Sequence, residues 1–473
     1  MEHPAAYRGR QVVVLGLARS GVAVAKWFHE AGAYVTVNDK KEREGCPEAD
    51  DLEALGISVV CGSHPPGLIH EGVALVVKNP GIPYSVEPVR RAAELGIDVV
   101  TEVEVAAGLS KAPIIGITGS NGKTTTTTWT GLMLEAGGLK PIVAGNIGRA
   151  LTEAALEAGE DNRMVVELSS FQLKGTQAFR PAIACLLNVY ETHLDYHGSM
   201  EDYVRSKQKL FANLGPEDTA VLNWDQPVCR QTAEGLTSRV LPFSVRRELE
   251  YGLYAKPPLL DAKEAGQASM LVYRDEQGVE HPIIRHDELG IPGSHNVENA
   301  LAASAIAIAS GVSVAVIAEV LHSFHGVEHR LEFVAKKDGV LFYNDSKATN
   351  PTATIKTIES FSQDIVLIAG GLDRGSDYME LLPALARQVK GIVAFGETKD
   401  KIVRVARLAG MSRVKTVDTA KQVQDAVTEA VRAAFALAEP GDVVLLSPAC
   451  ASWDMFPSYE ERGRMFKQSV HNL

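Results

Sequence analysis

Short runs of apolar, largely β-branched residues recur along the chain, each ending in glycine and polar residues, with helical patterns between them. In residues 10–103 the runs are QVVVLG (11–16), YVTVND (34–39), VALVVKNP (73–80) and IDVVTE (97–102), and VAVAKWFHEAG reads as a helix between the first two. Strands alternating with helices imply a parallel, doubly wound sheet. A second block, 104–326, opens with IIGITGSNGKTTTTTWTGLML (114–134): an apolar strand, a glycine-bearing bend and a helix. RMVVELSS (163–170) and AIACLLNV (182–189) are further buried strands with polar residues at their C-terminal ends, where an open α/β sheet binds ligands. Over 248–291 the strands shorten, MLVYRDEQGVEHPII reads as a hairpin, and PGSHNVENALAASAIAIAS returns to helix. The third block, 327–473, is again β/α, with GVLFYNDS, DIVLIAGG, VKGIVAFGE and DVVLLSPA as strands. The pattern therefore predicts three α/β domains in series, 1–103, 104–326 and 327–473, each on a mainly parallel sheet.

Composition narrows the partners. At 473 residues with 45% apolar content, the chain can fill several cores. A net charge of −12 argues against nucleic acid or an anionic membrane, because both need a broad basic face. Five scattered cysteines without a C-x-x-C suit a reducing cytosol better than a disulfide framework or a zinc site. MEHPAAYRGRQVVVLG lacks the basic head and apolar core of a secretory signal. The uncharged stretch Asn299–Ala318 is interrupted at Gly311-Val-Ser313, so it reads as two buried helices rather than a membrane span. A cytoplasmic protein is expected.

Two bends carry candidate chemistry. GLARSG follows the first strand, with Gly16 and Gly21 opening a helix and Asp39 ending the second strand. It lacks the middle glycine of G-x-G-x-x-G, which is Ala18, so a Rossmann-like domain could hold NAD or another nucleotide. GITGSNGKT (116–124) is the stronger signal, because glycines let backbone N–H groups converge on phosphate oxygens while Lys123 adds a mobile charge. The usual P-loop spacing would need glycine at 117, which is Ile117. Thr124 is placed to ligate Mg²⁺, and threonines 125–128 read as helix surface and packing. Glu167 stands where a P-loop fold puts its Mg²⁺ carboxylate, or is a strand-end glutamate facing solvent. His193 is a candidate metal ligand or a structural histidine. Lys207, in YVRSKQKLF, reads from its surroundings as an ordinary amphipathic-helix lysine. The absence of N-K-x-D argues against a GTPase.

GITGSNGKT, VELSSFQL (166–173), HLDYHG (193–198) and GSHNVENALAA (293–303) together resemble the Mur ligase family, the ATP-dependent amide ligases that build the peptidoglycan stem peptide. The resemblance covers essentially the whole chain, and the family's longer G-x-T-G-x-N-G-K-T loop accounts for Ile117. It implies a Rossmann-like N-terminal domain, a P-loop ATPase-like central domain and a Rossmann-like C-terminal domain. Within the family, NDSKATNP (344–351), GGLDRG (370–375) and SPACASWDMF (447–456) are similar to the branch that accepts D-glutamate.

Site roles follow from that resemblance. Gly119, Ser120, Asn121, Gly122, Lys123, Thr124 and Thr125 would hold ATP phosphates, with Asn296 and Asn299 on the adenine side and Arg330 and Asp345 reaching ATP from the third domain. Lys123, Glu167, His193 and Lys207 would be the catalytic set. Thr124, Glu167, His193 and Lys207, the last as a CO₂-derived carbamate, would ligate two Mg²⁺ ions. UDP-N-acetylmuramoyl-L-alanine would bind Ala18, Arg19, Ser20, Gly21, Asp39, Lys40, Asn79, Gly81, Asn146 and His193. D-Glutamate would meet Lys347, Thr349, Arg374, Ser452 and Tyr459. A monomer acting on small molecules, with no nucleic acid or membrane partner, is expected.

Overall fold

The computed structural model describes residues 1–146, 149–259, 268–417 and 423–473. It contains three α/β domains with mainly parallel sheets. The chain divides into two compact units, Met1–His286 with Val297–Leu321, and Asp287–Asn296 with His322–Leu473.

The first unit holds two sheets. β1 (Gln11–Leu15), β2 (Tyr34–Asn38), β3 (Ser58–Val60), β4 (Val73–Lys78) and β5 (Val99–Val100) form an all-parallel sheet in the order β3-β2-β1-β4-β5. The strand order reverses between β1 and β4, so the loops after these two strands open onto one crevice. β3 was not anticipated; its three residues are too few to show a period. Apolar clusters cover both faces, with Val12, Val14 and Phe28 on one side and Val13, Leu15 and Val76 on the other.

The second sheet joins β6 (Ile114–Thr118), β7 (Lys140–Gly145), β8 (Asn162–Glu167), β9 (Ile183–Leu186), β10 (Thr219–Asn223), β11 (Arg239–Ser244), β12 (Gly252–Lys256), β13 (Met270–Arg274) and β14 (Glu280–Arg285). Its order is β14-β13-β12-β11-β10-β9-β6-β8-β7. Only the β12-β13-β14 edge is antiparallel, and β13-β14 is the expected hairpin. Here β6 lies between β8 and β9, which brings their C-terminal ends side by side. The uncharged stretch forms two helices, Ser294–Ala309 and Val314–Ser323, broken where the sequence predicts. Among the described residues no helix is long and apolar enough to cross a membrane.

In the second unit β15 (Glu332–Lys337), β16 (Val340–Asn344), β17 (Ile365–Ala369), β18 (Val389–Ala394), β19 (Arg413–Thr416) and β20 (Val443–Leu446) take the order β15-β16-β20-β17-β18-β19, antiparallel only at β15-β16. β16, β20 and β17 are neighbours, so NDSKATNP, SPACASWDMF and GGLDRG leave the sheet side by side.

Candidate functional site

β6 stops at Thr118 and a helix begins at Lys123 (Lys123–Ala136), so Gly119, Ser120, Asn121 and Gly122 form the whole bend. Gly122 has φ 84°, a left-handed conformation that glycine takes without steric cost. A Cβ at this position would overlap Asn299 Oδ1. Asn188 holds the bend through two contacts of 2.9 Å: its Oδ1 accepts from Asn121 N and its carbonyl accepts from Ser120 N. Ser120 Oγ lies 2.9 Å from Tyr203 OH. Lys123 Nζ folds back onto the carbonyls of Gly119 and Ser120, at 2.8 and 3.1 Å. Thr125, Thr126 and Thr127 are buried, not on the helix surface.

Two charged side chains flank this bend. Glu167 ends β8 and is 2% exposed, so the solvent-facing alternative fails. Its Oε2 accepts from Thr124 Oγ1 and its Oε1 from Asn146 Nδ2, both at 2.8 Å. The carboxylate and the hydroxyl are hard oxygen donors of the kind Mg²⁺ prefers. Among the described residues no group of three or more His, Cys, Asp and Glu side chains could hold a metal, so a metal here would need the mixed donor set expected from the sequence.

Lys207 overturns its residue-level reading as an ordinary helix-surface lysine. It is 1% exposed, because the helix Met200–Gln208 turns this face onto the bend. Its Nζ donates to Gly119 O at 2.9 Å and sits 4.7 Å from the Tyr203 ring centroid. Burial, and then the like charge of Lys123, push its pKa well below the ordinary lysine value. His193 precedes the short helix Leu194–His197 with φ 57° and lies exposed, 5.0 Å from the Phe171 ring.

At the crevice of the first sheet, Gly16 adopts φ 102°, and a Cβ on it would come within 2.8 Å of Asn79 Cβ. That close approach brings GLARSG against KNPGIP. Asp39 bridges the turns: Oδ2 accepts from Leu17 N at 2.7 Å and Oδ1 from Lys41 N at 2.9 Å. Ala18 and Arg19 are exposed at the start of the helix Arg19–Glu30, with Ser20 half-buried and Gly21 buried. Lys40 and Gly81 are exposed, and Asn79 Oδ1 accepts from Gly81 N at 3.3 Å.

In the second unit Asp345 is buried after β16, accepting from Thr357 Oγ1 at 2.6 Å and Ser447 Oγ at 3.0 Å. Burial lifts its pKa to about 6 despite these donors. Arg330 lies between His329 (φ 64°) and Leu331 (φ 46°). Such left-handed non-glycine residues are costly and concentrate at functional sites. Asn296 Nδ2 donates to Pro292 O at 2.5 Å. Lys347 Nζ lies 5.7 Å from the Tyr459 ring centroid, Thr349 N donates to Lys347 O at 2.9 Å, and Ser452 is buried. Arg374, exposed in the β17 loop, stacks 5.0 Å from the Trp453 ring, itself 65% exposed. Asn299 belongs to the first unit and Asn296 to the second.

Several organising side chains escaped the sequence reading. Arg462, buried, donates to Ser346 Oγ and O and to Cys450 O at 2.8 to 3.2 Å, fixing NDSKATN against the β20 loop. Tyr203 could have been found, because four residues before Lys207 is the same helical face. Asn188 and Lys78 carried no local signal.

A glycine bend, a helix opening with Lys-Thr, and a buried strand-end glutamate on a parallel sheet define the class of phosphate-loop α/β proteins, here set between two further α/β domains. The chain belongs to the Mur ligase family. The Mur ligase middle domain matches residues 117–307, the Mur ligase glutamate ligase domain 329–450, and the MurD-like N-terminal domain 10–101. Relatives named UDP-N-acetylmuramoylalanine--D-glutamate ligase include one from Geobacillus sp. (strain WCH70), 48% identical, and one from Bacillus subtilis (strain 168), 45% identical, each alignment covering 100% of both chains. Among solved structures, the fold is shared with UDP-N-acetylmuramate-alanine ligase MurC from Thermotoga maritima (TM-score 0.58, 19% identity, covering 98% of this chain and 99% of that one). It is shared too with MurF ligase from the same organism, solved in complex with ADP (TM-score 0.57, 17% identity, 100% of both chains).

Proposed function

We propose that this chain is an ATP-dependent amide ligase that joins D-glutamate to UDP-N-acetylmuramoyl-L-alanine in the cytoplasm, acting as a monomer in peptidoglycan precursor synthesis. The reading rests on full-length identity to relatives named for that reaction. The observation that carries it chemically is the convergence of Lys123, Thr124, Glu167 and Lys207 on one glycine bend.

A free carboxylate resists amine attack, being already anionic and having a poor leaving group. Transfer of the ATP γ-phosphate to it gives an acyl phosphate, which the D-glutamate amine attacks; phosphate leaves, the amine loses a proton and an amide forms. Joining two anions in the first step requires positive charge, supplied by Lys123, the helix N-terminus and Mg²⁺. Thr124, Glu167 and His193 would hold two Mg²⁺ ions, and the metal would neutralise the phosphate oxygens. Lys207 would join them as a carbamate: its neutral Nζ attacks CO₂ and loses a proton, which replaces a cation by an anionic oxygen ligand. The bend from Gly119 to Thr125 would hold the phosphates, with Asn296, Asn299, Arg330 and Asp345 around the nucleoside. The UDP-sugar would take the crevice of the first sheet, at Ala18–Gly21, Asp39, Lys40, Asn79 and Gly81, with Asn146 and His193 near its carboxylate. Lys347, Thr349, Arg374, Ser452 and Tyr459 would grip the two glutamate carboxylates.

The test is phosphate release with ATP, Mg²⁺ and UDP-N-acetylmuramoyl-L-alanine while the amino acid is varied. D-Glutamate should support turnover and L-glutamate, L-lysine and D-alanine should not. Turnover with another amino acid in its place, or with none, would overturn the reading.

A further inference from the structure

We propose that His197 is a positioning residue for ligation: it fastens the turn that follows Glu167 to the first turn of the helix that carries Lys207. The inference rests on the ligase reading of these two residues. His197 ends the short helix Leu194–His197, and its side chain is fully enclosed. Its Nε2 lies 3.0 Å from Ser170 Oγ, and its Nδ1–H donates to Asp202 Oδ2 at 2.7 Å. Ser170 is the first residue of the helix Ser170–Lys174, whose Ser169–Gln172 capping box fixes the chain just after Glu167. Asp202 lies in the first turn of Met200–Gln208, five residues before Lys207, and also pairs with Lys174 at 2.6 Å. One imidazole thus spans the two elements that bring an anion to Thr124 and a buried amine to Gly119 O, at the two ends of the glycine bend.

The surroundings favour precision over reactivity. The rings of Tyr196, Tyr203 and Phe171 stand 5.0, 5.3 and 5.4 Å from the imidazole and close it off from water. Serine, histidine and aspartate in this order resemble a hydrolytic triad. Ser170, however, is only 2% exposed, and no substrate carbonyl can approach its hydroxyl. What remains is a rigid brace. Side chains that support metal-binding groups from behind typically change metal affinity or activity by about 10- to 100-fold when removed.

Replacing His197 by leucine fills the volume but removes both hydrogen bonds. His197→Leu should raise the Mg²⁺ concentration for half-maximal ligation and lower kcat, each roughly tenfold, while the KM for D-glutamate stays within about twofold. Without turnover, calorimetric titration with a non-hydrolysable ATP analogue should show the same weakening in Mg²⁺ and little change in its absence. His197→Gln, whose amide can donate to Asp202 and accept from Ser170, should restore most of both values. Ser170→Ala, a milder cut at the other end, should move them in the same direction, and it serves as the test if His197→Leu does not fold. A folded His197→Leu or Ser170→Ala with unchanged Mg²⁺ dependence, or a glutamine variant as impaired as leucine, would overturn the brace. Absence of D-glutamate-dependent phosphate release in the unaltered protein would instead sink the ligase reading.

Discussion

A buried charged amine is costly, and at Lys207 one carbonyl hydrogen bond and one aromatic ring offset only part of that cost. Its neighbours are Gly119 O, the Tyr203 ring and Lys123, whose like charge adds to the burial penalty. A neutral amine is the form that can add CO₂, which is the chemistry the proposed carbamate needs. If Lys207 acts as the proposed carbamate, Lys207→Ala should be nearly inactive, and acetate should recover part of the rate. Lys207→Arg should be as inactive as alanine, since guanidinium forms no carbamate. A normal rate in the arginine variant would show that the position needs a cation.

At the scale of elements, strand ends are where sequence and structure agree most closely. Long β-branched runs such as QVVVLG and DIVLIAGG pack on both faces, so their apolar content marked them, and IDVVTE marked β5; β3, at three residues, is too short to carry a pattern. The glycine bend was legible because its chemistry is local. Lys207 was not: only tertiary packing turns its helix face inward, and the family motif alone singled it out. Arg462 was illegible for the same reason, since its acceptors, Ser346 and Cys450, lie in other loops. Where two loops meet, Arg374 from the β17 loop lies over Trp453 from the β20 loop. The indole steadies the guanidinium by about 0.5–1 kcal/mol, as expected of an exposed cation–π pair. A charge-assisted hydrogen bond to a substrate carboxylate contributes about 1.5–3 kcal/mol. Arg374→Ala should therefore raise the KM for D-glutamate by roughly 10- to 150-fold, with the KM for ATP and UDP-sugar changing far less. A rise confined to ATP would move Arg374 to the nucleotide.

Within the first unit, the end of β4 is tied to the helix Leu194–His197 by a cation that, among the described residues, has no carboxylate at hydrogen-bonding distance. Lys78, at the end of β4 and 1% exposed, donates to Asn79 O, Pro80 O and Tyr196 OH at 3.2 to 3.3 Å, and sits 4.6 Å from the Tyr84 ring centroid. Burial, and then the charge of Lys174, push its pKa down to about 7. In the unfolded chain it titrates near 10.4, so between these values the unfolded state binds more protons and stability rises with pH. The cost of burying the charge is fully present below about pH 7 and is relieved as pH climbs towards 10. Lys78→Met keeps the stem and removes the charge. Its urea midpoint should exceed that of the unaltered protein at about pH 6, and the gap should narrow by about pH 9.5; a constant gap would show that Lys78 is not the titrating group.

Gly122 and Asn299 are far apart in sequence, yet a single added methyl at 122 would have to push the asparagine away: Asn299 Cγ stands only 3.0 Å from where a Cβ would sit. The position of Asn299 and the shape of the bend are therefore not independent traits of this protein. A lineage or an engineer altering the bend at 122 would displace Asn299 in the same step, and making room for the new side chain would require a second change on the helix Ser294–Ala309.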